Sequence, residues 1–106
     1  IKPRHMIRHT VSFTLKYAKG SPEEKAFLDA TLTLMNIPGV QHFERLKQTS
    51  KKNRFAFGLS MEFSDQKDYE AYNNHPIHSG FIEQYWIPGV EDFLETDYEP
   101  YLDPAQ

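Results

Sequence analysis

Residues 8–16 alternate strictly. His9, Val11, Phe13 and Leu15 fall on one face, and Arg8, Thr10, Ser12 and Thr14 on the other. Successive side chains of an extended chain point to opposite faces, so this stretch is a half-buried strand. Gly20 breaks the pattern and "SPEE" opens a helix. Ser21 caps it, Pro22 suits the first helical position, and Glu24 completes a capping box. Phe27, Leu28, Thr31, Leu32 and Met35 then recur at helical spacing and form one apolar stripe. "NIPGV" stops the helix, since Pro38 and Gly39 do not readily continue one.

A weakly patterned second strand over 40–48 leads into the turn "TSKKN". Residues 54–63 carry the strongest alternation in the chain, with Phe55, Phe57, Leu59, Met61 and Phe63 pointing one way. Asp65 caps the next helix, over 66–74, and Pro76 pushes His75 out of helical geometry. A further helix runs from there through Phe81, Ile82, Tyr85 and Trp86 to Pro88-Gly89. Residues 90–99 are the last strand.

The order is therefore β-α-β-β-α(α)-β, the split βαβ pattern of an α+β, ferredoxin-like subunit. Four antiparallel strands carry helices on one face, with the large odd-numbered residues beneath them. The even-numbered face holds Thr10, Ser12, Thr14, Ala56, Gly58 and Ser60, too small and mild for a bare solvent face and not greasy enough for a core. A second copy packed against it explains this composition. The expected assembly is a homodimeric α/β barrel.

Composition narrows the function classes. At 106 residues the chain is one domain able to bury a core, and 39% apolar with 14% aromatic residues is a globular composition. The net charge of −3, from 12 basic and 15 acidic residues, comes with no basic stripe, so no nucleic-acid partner is expected. The absence of cysteine excludes disulfides, thiolate chemistry and cysteine zinc sites, and fits a cytoplasmic location. No apolar run approaches the roughly 20 residues that span a bilayer, so no membrane partner is expected either. "IKPRHM" reads as an expression remnant over 1–5 with the native start at Met6; the domain covers 6–101 and 102–106 are a tail.

Four pieces of the chain carry a resemblance: "RHTVSF", "IPGV", "MEFSDQKDYEAYNNHPIHSGF" and "TDYEP". Together they resemble the stress-responsive dimeric α/β-barrel (Dabb) domain family over nearly the whole chain from Met6. The resemblance implies a ferredoxin-like subunit that dimerises through its sheet. One plant branch of that family, the olivetolic acid cyclase type, closes a linear polyketide by an aldol reaction. Its reactive residues are a tyrosine and the second histidine of a similar stretch, which by position fall on Tyr72 and His78. A pocket-lining histidine of strand one falls on His9. Around the pocket this chain departs from the plant pattern with bulky Phe57, Met61 and Trp86, which points away from a long-tailed substrate.

The residues themselves leave two functions open. A histidine near neutral pKa can remove a proton beside a carbonyl, and a phenol can hydrogen-bond the resulting enolate. In that reading His78 is the base and Tyr72 the donor of a cyclase or lyase acting on a small apolar carbonyl compound. In the other, the protein binds or serves a stress role without chemistry. His75 then only joins two helices, its ring on a carbonyl at a helix end. His42 is expected to be exposed, and Asp97 and Tyr98 to fix the chain end or a dimer contact. A metal on His75 and His78, helped by Glu70 or Asp68, is disfavoured because Pro76 spoils their shared face. No metal and no cofactor are expected.

Overall fold

The computed structural model describes residues 5–101, so most of the expected leading remnant and the tail lie outside the described residues. The elements are β1 (Ile7–Leu15), α1 (Pro22–Ala30), β2 (Gln41–Lys47), β3 (Phe57–Phe63), α2 (Gln66–Asn73), α3 (Pro76–Phe81) and β4 (Val90–Tyr98). They form one four-stranded sheet in the order β2-β3-β1-β4. All three pairings are antiparallel. This is the ferredoxin-like arrangement expected from the order of the elements.

Register explains where the core sits. His9 lies opposite Met61, Val11 opposite Leu59 and Phe13 opposite Phe57, so the apolar rows of β1 and β3 coincide. Phe13, Met61 and Phe63 are fully buried there, together with Phe27, Leu34 and Tyr72 from the helical layer. Side chains alternate across a strand, so one register error would move every member of these rows to the other face.

Two helical segments differ from expectation. The first helix tightens into a 3₁₀ turn over Thr31–Asn36 instead of running on as an α-helix to Met35. Thr31 and Thr33 donate their hydroxyls to the carbonyls three residues back, Leu28 and Ala30. With three residues per turn, Thr31 and Leu34 face the core, while Leu32 and Met35 of the predicted stripe are exposed. The last helical run also changes pitch, through a π turn over Ile82–Trp86 to a final α turn at Ile87–Gly89. Pro88 offers no N–H to the carbonyl four residues back and its ring crowds that carbonyl. The wider turn just before it, with the Ile87 N–H reaching Ile82, accommodates both effects.

The strand ends shift as well. β3 begins at Phe57, not at 54, because the Asn53 side chain takes the Phe55 N–H and Arg54 turns to pair with Asp92. The other sheet face keeps the small residues and adds exposed Leu46, Leu94 and Tyr98. One carboxylate is buried on it: Glu62 meets Arg8 Nη2 at 2.8 Å and His42 Nδ1 at 2.6 Å. His42 is 71% exposed at its side chain and sits at φ 50°, at the register shift of the β2–β3 ladder. Among the described residues no helix is long and apolar enough to cross a membrane.

Candidate functional site

The joint between α2 and α3 shapes the site. Pro76 holds His75 extended, at ψ 140°, and starts α3 as its first residue. His75 is the N-cap, its Nδ1 accepting the Ile77 N–H at 3.1 Å, and not a ring bonded to a carbonyl. The joint turns the chain back, so the rings of Tyr72 and His78 lie 4.7 Å apart, centre to centre. His75 and His78 therefore serve different neighbours.

Tyr72 and His78 share a cavity of about 470 Å³ between the helices and the sheet, within the size range of small-molecule pockets. His9 and Val11 of β1, Leu59 of β3 and Trp86 of the π turn also line it. Ile87 and Phe93 form a rim and are 65% and 50% exposed. Phe57 and Met61, expected on the wall, lie elsewhere. Met61 is buried in the packed core at 1% exposure, and Phe57, one strand end away, packs on Phe13.

The polar groups have distinct states. Burial, then the nearby His9, pull the His78 pKa below its ordinary 6.5, against the raising effect of a hydrogen bond to the Asn73 backbone carbonyl. In the neutral ring one nitrogen carries the hydrogen and the other is an acceptor. Burial, reinforced by the charge of Glu95, pushes the Tyr72 phenol above 10.0. Its hydroxyl makes no hydrogen bond among the described residues, yet no fully buried side-chain N or O there lacks a partner. The Tyr72 hydroxyl therefore reaches the cavity surface.

His9 is anchored by a cluster that local sequence patterns do not reveal. Its Nδ1 lies 2.6 Å from Asp97 Oδ1. The Tyr69 hydroxyl is 2.8 Å from Asp97 Oδ2, 3.0 Å from Glu95 Oε2 and 3.1 Å from His9 Nδ1. Burial first, then the hydrogen bond to Asp97, raise the Tyr69 pKa. Asp97 thus holds His9, where it was expected to fix the chain end or a dimer contact. The reason is register: β4 runs beside β1 with Asp97 opposite His9. His9, Glu95 and Asp97 also have ligand atoms within 4.8 Å of one another, the spacing of a metal-ligand set. Each of the three is already engaged with its neighbours in the cluster.

A neutral imidazole, a free phenol and an anchored second imidazole around one cavity can remove a proton beside a carbonyl and stabilise the charge that develops on its oxygen.

Among curated proteins none matches this sequence. A Dabb family protein with a ferredoxin-like fold from Mesorhizobium loti is 57% identical, with a TM-score of 0.88 over 91% of this chain and 97% of its own. The hydroxynitrile lyase from Passiflora edulis is 16% identical, with a TM-score of 0.81 over 93% of this chain and 96% of that one. A dimeric protein of unknown function and ferredoxin-like fold from Bacteroides fragilis is 20% identical, with a TM-score of 0.69 over 89% and 95%. At those two lower identities the likeness is one of fold alone. Residues 7–100 match the family described as the stress responsive A/B barrel domain, Dabb. The chain belongs to that family.

Proposed function

We propose that the protein is a homodimer, acting in the cytoplasm, whose helix–sheet pocket binds a small, largely apolar carbonyl compound and moves a proton on it. The observation that carries this reading is the single cavity onto which His9, Tyr72 and His78 open together. His78 takes the proton from the carbon beside the carbonyl, leaving the electron pair as an enolate. The enolate oxygen accepts a hydrogen bond from the Tyr72 hydroxyl, and the imidazolium returns the proton. That a hydroxynitrile lyase shares this fold supports the idea that such a frame can carry an enzyme. The dimeric state of the Bacteroides fragilis relative supports the homodimer, as does the small-residue face of this sheet.

Exchange of the acetyl methyl protons of para-methylacetophenone in deuterated water tests the reading. The protein is expected to accelerate it above an equal concentration of imidazole. His78→Ala should remove about 10²–10⁴-fold of that acceleration, and Tyr72→Phe a smaller part. Binding of the ketone without exchange would leave a binding protein and defeat the catalytic half of the proposal.

A further inference from the structure

The cavity wall carries one unbalanced charge. Glu95 lines it with a side chain 46% exposed, and its carboxylate is steadied by the Tyr69 hydroxyl at 3.0 Å. No lysine or arginine lines the cavity or pairs with Glu95 among the described residues. The nearest basic group is His9 Nδ1 at 3.9 Å, and it is already committed to Asp97 at 2.6 Å. Apart from Asn73 and the imidazoles of His9 and His78, the rest of the wall is apolar or aromatic, with Tyr72, Phe81, Trp86 and Phe93 presenting rings. Aromatic faces attract cations and do nothing for anions.

Resting on the carbonyl-binding reading, we propose that Glu95 is a specificity-determining residue that makes the pocket a charge filter. Neutral and cationic carbonyl compounds enter; carboxylates and other anions do not. The physical reason is that a second negative charge a few ångströms from Glu95 would lose its water and meet no lysine or arginine in exchange. A ligand amine would instead meet both the carboxylate and the ring faces. The field of Glu95 does reach the cavity, since it adds to burial in raising the Tyr72 phenol.

A matched set tests the filter: para-methylacetophenone, para-acetylbenzylamine and para-acetylbenzoate, which share the ketone and differ in charge. Binding to the full-length protein is measured by calorimetry at low and high salt. The benzylamine is expected to bind at least as well as the neutral ketone, and the benzoate about ten-fold or more weakly. Glu95→Gln, which keeps the shape and removes the charge, should collapse the spread, and Glu95→Asp should restore part of it. Added salt should narrow the spread for the native protein and leave the glutamine variant unchanged. If all three ketones bind alike, or Glu95→Gln keeps the ranking, the filter is wrong while the pocket stands. If none of them binds, the carbonyl reading fails and the filter falls with it.

Discussion

His9, Tyr72 and His78 show what a single residue's pattern can announce. The polar ring of His9 in the apolar row of β1 is a local signal, whereas Tyr72 and His78 were marked by the resemblance of the "YNNHPIH" stretch to the family pattern. Neither needs knowledge of register. Tyr69, Glu95 and Asp97 were not legible. Their role depends on β4 lying beside β1 with Val11 opposite Glu95 and His9 opposite Asp97, which no local pattern encodes. Residue-scale protonation leads to a prediction at each end of the pH range. The folded state holds the His78 pKa below the 6.5 of the unfolded chain, so the unfolded chain binds more protons below that value. Stability therefore falls as pH drops from 6.5 through the depressed value, and His78→Gln should flatten that part of the curve. Tyr72 has the opposite sign: its raised phenol keeps a proton that the unfolded chain releases above 10.0. Stability should decline as pH rises past that point, less steeply in Tyr72→Phe, as read from urea midpoints across the pH series.

Elements obey their caps more faithfully than their apolar stripes. The Ser21 Oγ accepts the Glu24 N–H at 3.2 Å, as its capping role requires, but the expected box is offset by one residue. Glu24 reaches back to the Gly20 N–H at 3.1 Å, while the Ser21 N–H goes to the Ala18 carbonyl at 3.0 Å. Ser21→Ala should cost roughly 0.5–2 kcal/mol in denaturant melts without changing ligand binding. The stripe failed at Leu32 and Met35, in the 3₁₀ turn that two threonine hydroxyls bonding back to the helix accompany. His75 gives an element-scale contrast with His78. Because its ring caps α3 and does not line the cavity, His75→Ala should cost about 1 kcal/mol of stability and His75→Asn much less. Neither change should alter ketone affinity. A loss of affinity in His75→Asn with stability intact would move His75 into the pocket.

At the scale of the whole molecule, the fold was legible because alternation in β1 and β3 and the cap signals agree on one topology. The sheet's uncovered face is where a second copy is expected. Exposed Leu46, Leu94 and Tyr98 surround the small residues there, and a stable pairing buries about 1,200 Å² or more in total. A Cβ at Gly58 would meet the Val11 carbonyl at 3.5 Å and Leu46 Cβ at 3.7 Å, which are ordinary contacts. Gly58→Glu should therefore leave the subunit folded and yield monomers or aggregates, whereas light scattering of the native protein is expected to give a dimer. A native monomer at micromolar concentration would reject the homodimer.

Whether the cavity is a working site can be read from the histidine rings themselves. Imidazole NMR signals are followed while para-methylacetophenone is titrated into the native protein, with His42 and His75 as internal controls outside the cavity. The expected result is that His9 and His78 shift together along one saturable curve while the controls stay still. Silent His9 and His78 signals, or equal movement of all four rings, would contradict a site built around His9, Tyr72 and His78.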